Sequence, residues 1–583
     1  MIFSRAKRIS QARYPASMRH GWSARPSALL ALIALGGGPA LAATTVQSGA
    51  GAPVVTTADG AVRGVTENGV NVYRGIPYAA PPVGDLRWLP PQPAKPWRGV
   101  RDASKPTASC AQVTTLGPFA GPASIQEDCL YLNVYATGKA SAKGGKPVIV
   151  WIHGGGNFTG AAKDYDATKL ATGGPEGVDA IVVTFNYRLG LLGTLSHPAL
   201  NAEGHPWGNY QTLDQQAALR WVQRNIARFG GDPSKVALGG QSAGAYDVGA
   251  NVISPSAKGL FNRAILQSSP AFFAWTPTAA AALTAGTGFA AAAGCAGTDA
   301  EAARCLRSLP AARILQLQGT PTAGGPYVIG RPFVDGTIVP MQPEEAWVSG
   351  NFNHMPVMGG AARDEVTFFT GINEYFSGPP QAPISVAQYA TLTQPGAFCI
   401  FCNADRKMPE GIAEKYPLSD HGGDPMVAYQ RISTDAAKCT ELHVMQRLAS
   451  QVATYAYDFG YRNAPFYLPK MPGYKPGASH TIDIQFLFAG FHGGELGVNL
   501  DQVSGMPRGL DADEEKLSGQ LIGAWTRFAD TGNPNGSGDA PWPRFTAGGD
   551  ARYLMQDIPL STQSVADFRS AYKCDFFDPQ LKY

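Results

Sequence analysis

Neither sign of charge predominates in this sequence, because 47 Lys and Arg residues nearly balance 44 Asp and Glu, for a formal net charge of +3. That balance gives no reason to expect a nucleic-acid partner. No apolar run approaches the roughly 20 residues that a membrane-spanning helix needs. Internal repeats, long linkers and a phosphate-binding loop are also missing. We therefore expect one large domain over residues 43–583, without a metal, an organic cofactor or a membrane span in the mature chain. The sequence does not predict an oligomeric state.

The first 42 residues differ from the rest of the chain. Basic residues between Arg5 and Arg25 precede a short apolar run, Ala28–Leu35, and a small-residue triplet ends at Ala42. This order is typical of a secretory signal peptide over residues 1–42, cleaved after Ala42. A membrane anchor is the alternative, but the apolar run is too short to span a bilayer. We therefore expect a soluble protein exported to the periplasm or to the medium.

Export changes the interpretation of the eight cysteines, since an even number in an oxidising compartment favours disulfides. Cys399 and Cys402 form a C-x-x-C pair, but a zinc site would need a second ligand pair nearby, and none has suitable spacing. Structural bridges are therefore the better interpretation. The other cysteines flank two loops or stand apart: Cys110 and Cys129, Cys295 and Cys305, and then Cys439 and Cys574.

Continuous apolar runs alternate with helical patterns through the middle of the chain. Pro147–His153, Ala180–Asn186 and Ala264–Gln267 are typical of strands buried on both faces of a parallel sheet. Asn209–Phe229 carries apolar side chains every three to four positions, which indicates a helix. The alternation predicts an α/β fold with a doubly wound, mostly parallel sheet.

Later segments predict further helices and strands. Ala279–Ala303 is rich in alanine and indicates the start of a helical insertion that covers the sheet. Glu441–Phe459 predicts one long helix that runs into a strand-like YAYDF. Glu514–Phe528 predicts an amphipathic helix, and the region of Tyr553–Met555 predicts a closing strand.

The stretch from Phe229 to Gly244 carries a nucleophile pattern. A polar turn leads to the apolar run Val236–Leu238 and then to Gly-x-Ser-x-Gly centred on Ser242. A strand that enters a sharp turn at this pattern is the nucleophile elbow of an α/β-hydrolase. The turn strains the serine backbone, and the small neighbours let strand and helix approach each other. The pentapeptide alone is weakly diagnostic in a chain so rich in glycine.

A serine nucleophile needs a base and a group that orients the base, in the chain order Ser, acid, His for this fold. Among the downstream histidines, His480 and His492 are the candidates, because each lies in a loop of the C-terminal part. Asp364 and Glu365 are the candidate acids, since they follow a strand end, where open α/β sheets carry catalytic loops.

An acyl-transfer site also needs backbone N–H donors for the oxyanion. The run His153–Gly156, HGGG, directly follows a predicted strand. Glycines there let the backbone turn its N–H groups toward a substrate carbonyl, as in the HGGG-type hole of esterases and lipases. A flexible turn is the alternative, and the elbow downstream makes it the less favoured one.

These motifs together resemble the type-B carboxylesterase/lipase family, the branch of the α/β-hydrolase fold that includes the cholinesterases. The resemblance covers almost the whole mature chain. It is carried by FGGDPSKVALGGQSAG, EDCLYLNVY, WIHGGG, FNYRLGLLG, DQQAALRWVQRNI, NRAILQSS and FADTGNPN. It implies an α/β-hydrolase fold with large helical insertions covering the active-site gorge.

The resemblance also implies roles for individual residues. Ser242 would be the nucleophile, Glu365 the acid and His480 the base. The oxyanion donors would be the N–H groups of Gly155, Gly156 and Ala243. The implied disulfides are Cys110–Cys129, Cys295–Cys305 and Cys439–Cys574, and the implied fold-stabilising ion pair is Arg87–Glu127. A local Cys399–Cys402 bridge is our own hypothesis, since these cysteines have no counterpart in the family.

Departures from the family pattern bear on substrate. The loop between Cys110 and Cys129 has no tryptophan, whereas cholinesterases use an aromatic there to hold a quaternary ammonium. Asn157 follows the glycines where an aromatic is common, which predicts a more polar acyl side. Thr481 stands after the histidine, where Gly or Ala is usual.

The resemblance thus predicts a secreted serine carboxylic-ester hydrolase. It would act on uncharged small-molecule esters through a Ser-His-Glu triad and an acyl-enzyme intermediate. The alternatives are a true lipase acting on long-chain acylglycerols, an amidase, or a non-catalytic binding protein on the same fold.

Overall fold

The computed structural model describes most of the chain beyond the leader. The described residues are 46–47, 52–113, 121–138, 144–268, 276–319, 330–378, 380–399, 401–403, 405–492, 497–536 and 541–581. The proposed signal peptide, residues 1–42, lies outside them. From Thr45 to Tyr583 the chain forms one compact unit.

The described residues contain fifteen strands. They are β1 (Val46–Gln47), β2 (Val54–Thr56), β3 (Ala61–Arg63), β4 (Val65–Glu67), β5 (Val70–Pro77), β6 (Val100–Asp102), β7 (Tyr131–Thr137), β8 (Lys146–Ile152), β9 (Ile181–Phe185), β10 (Gly231–Gln241), β11 (Arg263–Gln267), β12 (Val357–Ala362), β13 (Thr454–Phe459), β14 (Arg552–Gln556) and β15 (Ser561–Ser564).

Twelve of these strands form one sheet in the order β1-β4-β5-β7-β9-β8-β10-β11-β12-β13-β14-β15. The seven strands from β9 to β14 in that order are parallel. Antiparallel strands extend both edges, β7, β5, β4 and β1 on one side and β15 on the other. Strands β2, β3 and β6 form a separate small sheet. The mostly parallel sheet predicted from the sequence is thereby confirmed.

Sixteen α-helices lie among the described residues. They are α1 (Thr168–Ala171), α2 (Gly190–Thr194), α3 (Pro198–Asn201), α4 (Tyr210–Asn225), α5 (Ala243–Ile253), α6 (Ala279–Ala293), α7 (Ala300–Ser308), α8 (Ala311–Gln318), α9 (Pro343–Ser349), α10 (Thr367–Tyr375), α11 (Val386–Leu392), α12 (Ile412–Lys415), α13 (Pro425–Ala449), α14 (Ala512–Thr531), α15 (Val565–Ala571) and α16 (Cys574–Phe577).

The central strands are apolar because both faces of the sheet are covered. Every residue of β8, β9, β12 and β13 is buried. This burial explains why these strands read as continuous hydrophobic runs rather than as alternating patterns.

Helix α13 differs from its sequence-based prediction. It begins at Pro425, capped by the Asp424 side chain, and it ends at Ala449, before β13 begins at Thr454. The prediction placed the start at Glu441. The earlier part was missed because polar side chains such as Asp435 and Lys438 are fully buried there and break the apolar period.

The order of strands reverses in the middle of the sheet. Strand β8 lies between β9 and β10. The chain therefore passes from β8 to its neighbour on one side, β9, and then crosses to its neighbour on the other side, β10. The crevice beyond the carboxyl ends of the strands at such a reversal is the usual ligand site of an open α/β sheet. The loop after β8 and the turn after β10 both lie at this position.

Four disulfides occur among the described residues: Cys110–Cys129, Cys295–Cys305, Cys399–Cys402 and Cys439–Cys574. The last one joins α13 to α16 across 135 residues. Arg87 forms a two-pronged ion pair with Glu127, with nitrogen–oxygen distances of 2.6 and 2.5 Å.

Candidate active site

Ser242 lies at the turn between β10 and α5, and its backbone is strained. Its φ of 58° and ψ of −125° lie in a region that non-glycine residues rarely adopt. Gly240 and Gly244 make the turn possible. A Cβ on Gly244 would lie 2.0 Å from the Ile152 carbonyl oxygen, and one on Gly240 would lie 2.5 Å from the Gly244 carbonyl carbon. No side chain fits at either position.

His480 lies against the hydroxyl of Ser242. Its Nε2 is 2.9 Å from Ser242 Oγ, and its Nδ1 contacts Oε1 of Glu365. The imidazole and the carboxylate are buried, whereas Ser242 is half-buried. The rings of Phe368 and Phe369 lie 5.7 and 5.3 Å from the imidazole. The three side chains thus form an unbroken series of contacts, from the accessible Ser242 hydroxyl through His480 to the buried Glu365.

Two other downstream histidines have partners outside the triad. Nε2 of His443 is 2.9 Å from Asp578, and Nε2 of His354 is 3.0 Å from the Gly350 carbonyl oxygen. His492 is half-buried in the loop downstream of His480.

Glu365 follows β12 and is fixed by two further hydrogen bonds to its Oε2. The backbone N–H of Ala362 donates at 3.1 Å, and the hydroxyl of Ser268 donates at 3.3 Å. Ser268 directly follows β11, the neighbouring strand, and it too has a positive φ of 55°. No sequence pattern marks Ser268 as functional, although it lies in the motif NRAILQSS.

Asp364, the other acid considered from the sequence, has a different environment. It pairs with Arg462 through two nitrogen–oxygen contacts of 2.7 Å. It also accepts a hydrogen bond from the backbone N–H of Ala478 at 2.9 Å. Asp364 therefore tethers the loop that carries His480.

The histidine loop is strained next to His480. Thr481 has a φ of 76°, which favours glycine, so the departure from the usual Gly or Ala coincides with a left-handed backbone. Its hydroxyl lies 2.6 Å from the Tyr467 hydroxyl. This contact ties the Thr481 side chain to Tyr467.

The glycine loop after β8 lies directly against the elbow. A Cβ on Gly154 would lie 3.2 Å from the Ser242 Cβ. Gly155 and Gly156 have φ values of 111° and 66°, and both are accessible to solvent. A Cβ on Gly155 would lie 2.1 Å from the Thr159 carbonyl oxygen, so no other residue fits.

Asn157 is buried beneath this loop, which corrects the expectation that it makes the acyl side more polar. Its side chain donates to Asp247 at 3.0 Å and accepts from the Tyr187 hydroxyl at 3.0 Å. Its φ is 62°, a conformation that Asn tolerates better than most residues. Burial raises the pKa of Asp247 to about 7 and lowers that of His153 to about 4, so both favour neutral forms.

Asp483 is a second buried acid close to the triad. Its two carboxyl oxygens make no hydrogen bond of good geometry among the described residues, although the Gln267 side chain lies close enough to favour the charged form. Burial, followed by the charge of Glu365, raises the pKa of Asp483 to about 7, while His480 opposes the shift. Asp483 could not be identified from the sequence, because a single acid in an apolar segment gives no signal of its burial.

The described residues contain no group of three or more His, Cys, Asp or Glu placed to hold a metal ion. None of the helices in the described ranges is long and apolar enough to cross a bilayer.

The fold agrees with comparisons to known proteins. A model of the carboxylesterase family matches residues 51–577. The chain belongs to the carboxylesterase family. This membership confirms the resemblance stated from the sequence motifs.

Relatives of this carboxylesterase are similar along nearly their full length. Rabbit (Oryctolagus cuniculus) cocaine esterase is 34% identical over 531 residues, covering 87% of this chain and 92% of the relative. Fumonisin B1 esterase from Sphingopyxis macrogoltabida is 33% identical over 544 residues, covering 90% and 93%. A solved pNB esterase structure matches with a TM-score of 0.69 and 28% identity, covering 89% of this chain and 99% of that one. This carboxylesterase is therefore a serine carboxylic-ester hydrolase with the α/β-hydrolase fold.

Proposed function

We propose that this carboxylesterase hydrolyses small-molecule esters through a Ser242-His480-Glu365 triad and an acyl-enzyme intermediate. The observation that carries the proposal is the continuous contact from the Ser242 hydroxyl through both nitrogens of His480 to Glu365. A serine hydroxyl is a poor nucleophile until a neighbouring base removes its proton, and His480 Nε2 is within reach of that proton.

In the first half-reaction, Ser242 Oγ attacks the ester carbonyl carbon while its proton moves to Nε2 of His480. The oxyanion accepts hydrogen bonds from the N–H groups of Gly155, Gly156 and Ala243, the last of which begins helix α5. His480 then gives the proton to the leaving alkoxide, and the alcohol departs. Glu365 orients the imidazole and stabilises its charged form.

In the second half-reaction, water takes the place of the alcohol. His480 accepts a proton from the water, whose oxygen attacks the acyl carbon through the same oxyanion site. Collapse of the tetrahedral intermediate releases the acid, and the proton returns to Ser242. The accessible serine and the buried acid support this division of roles, since Ser242 must meet the ester, whereas Glu365 acts only through His480.

Esters with a quaternary ammonium group are disfavoured as substrates, because the loop between Cys110 and Cys129 lacks the tryptophan that would hold one. We also propose that the protein is exported. Four disulfides support that location, since such bonds persist in oxidising compartments.

Mixing the enzyme with 4-nitrophenyl butyrate under excess substrate tests the mechanism. We expect a burst of nitrophenol stoichiometric with enzyme, provided that deacylation is the slower step, and covalent acylation of Ser242 by mass spectrometry. Ser242→Ala is expected to lose about 10³-fold or more in rate while it keeps the thermal unfolding profile of the parent. Retention of most activity in that variant would reject Ser242 as nucleophile. A profile over acyl chain lengths separates an esterase from a lipase, which prefers emulsified long-chain esters.

A further inference from the structure

Two arginines near the elbow, Arg331 and Arg406, lack an acidic partner. Neither forms an ion pair or a side-chain hydrogen bond in the described part of the chain, in contrast to Arg87, Arg188 and Arg462, which all pair with carboxylates. Unpaired arginines are ordinary on a solvated surface. What distinguishes these two is that Arg331 lies next to the catalytic elements and that its charge acts on Arg406.

Arg331 is linked to both catalytic elements by direct packing. A Cβ on the preceding Gly330 would lie 2.0 Å from Cζ of Phe158, so the Phe158 ring packs directly against the backbone of Gly330. Phe158 itself follows Gly156 by two residues in the glycine loop. The Arg331 guanidinium lies 5.7 Å from the centre of the Tyr246 ring. Tyr246 is on α5, one turn beyond Ser242, whose carbonyl oxygen accepts its N–H at 3.0 Å. Arg331 therefore lies beside the elbow helix and the glycine loop.

Arg406 is on a different loop, which packs toward the catalytic histidine: the ring of Phe401 lies 6.1 Å from that of Phe369, and the Phe369 ring lies 5.3 Å from the His480 imidazole. That loop is closed by the Cys399–Cys402 disulfide, the pair without a counterpart in the family. The N–H of Cys399 donates to the Arg406 carbonyl oxygen at 2.9 Å, and Arg406 itself has a φ of 54°. The loop thus fixes the backbone of Arg406 while leaving its side chain exposed.

The electrostatics of the two arginines favour the binding of an anion. Partial desolvation by the surrounding protein, followed by the positive charge of Arg331, lowers the pKa of Arg406 to about 10, and Tyr246 opposes the shift. Asp405 precedes Arg406, yet it is exposed and makes no ion pair with either arginine. Two guanidiniums that repel each other are stabilised when a carboxylate binds between them.

We propose that Arg331 and Arg406 bind a carboxylate on the substrate, so that the preferred substrates are esters that carry a free carboxylate group. This inference rests on the proposed function, since it concerns the ester at Ser242. A guanidinium presents a planar fork of N–H donors that matches a carboxylate in two-pronged geometry. The expectation of uncharged esters came from a missing cation-binding aromatic, which bears on cationic esters and not on anionic ones.

Matched pairs of esters test the inference. Monoethyl glutarate and ethyl pentanoate differ by a carboxylate in place of a methyl group on the acyl side. Likewise, 4-acetoxybenzoate and phenyl acetate differ by a carboxylate on the alcohol side. Hydrolysis is followed by proton release in a pH-stat. We expect the enzyme to prefer the carboxylate member of at least one pair, and that pair tells which side of the ester the arginines contact.

The decisive variants are Arg331→Gln and Arg406→Gln. Each is expected to lower kcat/KM for the preferred carboxylate ester by about tenfold, mainly through KM, while the neutral ester changes less than about twofold. Arg228→Gln is the matched control, since it removes one exposed charge just before β10, at the end of that strand opposite to Ser242. Equal losses on both esters would mean a structural role only, and no loss on either would reject the proposal.

A binding experiment separates this inference from the proposed mechanism. Monoethyl glutarate and 4-acetoxybenzoate are titrated calorimetrically into the Ser242→Ala protein, with and without Arg331→Gln. Weaker binding of the preferred carboxylate ester in the double variant would support the carboxylate site even if the catalytic roles were wrong. Unchanged binding would overturn the site even if the triad were right.

Discussion

Asp364 and Glu365 are adjacent in the chain and hold the histidine loop from two different points. Glu365 contacts Nδ1 of the His480 ring, whereas Asp364 accepts the N–H of Ala478, two residues before that histidine. One acid therefore acts on the imidazole itself, and the other acts on the backbone that positions it.

This division predicts different kinetic effects for the two acids. Glu365→Gln is expected to lower kcat by about 10³- to 10⁴-fold, because the imidazolium loses its orienting charge. Asp364→Asn is expected to lower kcat by less than about tenfold and to lower the melting temperature, because the contact with Arg462 weakens. Steady-state kinetics and thermal unfolding measure both effects. Arg462→Gln is the control, and it should show the same changes in kcat and melting temperature as Asp364→Asn. If Asp364→Asn lowered kcat as much as Glu365→Gln does, Asp364 would have a direct catalytic role.

The two histidine candidates are separated by a second pair of variants. His480→Ala is expected to lose about 10³-fold or more in kcat, because the Ser242 proton then has no acceptor. His492→Ala should keep most of the activity of the parent. Hydrolysis of a chromogenic ester by both purified proteins decides between them, and an inactive His492 variant beside an active His480 variant would reverse the assignment.

Close packing at the elbow gives a third prediction. Gly244→Ala is expected to abolish activity and to destabilise the fold by about 3 kcal/mol or more, because the methyl group would collide with the Ile152 carbonyl oxygen. Gly509→Ala is the matched control, since a Cβ there meets nothing within 4 Å. Urea unfolding and ester hydrolysis of the two variants test this, and a fully active, stable Gly244→Ala protein would contradict the described geometry.

Asp483 gives a prediction about pH. Its pKa is about 7 in the folded protein against an ordinary value of 3.8. Between these values the folded protein holds a proton that the unfolded chain has released, so this group's contribution to stability falls as pH rises from about 4 to about 7. Asp483→Asn stays neutral in both states. Its free energy of unfolding relative to the parent is therefore expected to rise, by up to about 4 kcal/mol, between pH 4 and pH 8.

Urea unfolding without reductant at both pH values measures this difference. Asp550→Asn, which changes an exposed carboxylate, is the control and should show no comparable trend. A stability difference between Asp483→Asn and the parent that does not change with pH would show that Asp483 does not hold the proton.

The sequence predicted those parts of the molecule whose physics is local. The glycines around Ser242 and the apolar runs of the central strands are sufficient to predict the elbow and the parallel sheet, and both follow from backbone sterics and burial. The choice between His480 and His492 is different, since it depends on how the loop after β13 folds back, and only the family resemblance favoured His480.

Other features could not be predicted because they depend on distant partners. The position of Asn157 after the glycines predicts a residue that lines the acyl side, yet its partners Tyr187 and Asp247 lie on other elements and hold its side chain beneath the loop. The sequence does not reveal where α13 begins, because the helix contains buried polar residues that pair with side chains of other elements. Lys438 of α13, for example, pairs with Asp458 of β13. Burial of a polar group is a property of the assembled fold, so no local pattern reveals it.

Because the active site lies at the strand reversal, the enzyme becomes active only after distant segments of the chain have come together. The glycine loop, the serine, the acid and the histidine come from segments that follow β8, β10, β12 and β13, so no short fragment of the chain contains them all. A nascent chain that ends before position 480 would have its nucleophile and acid but nothing to receive the proton. The first detectable turnover during refolding should therefore mark completion of the central sheet and the return of the loop after β13, which makes ester hydrolysis a late reporter of folding.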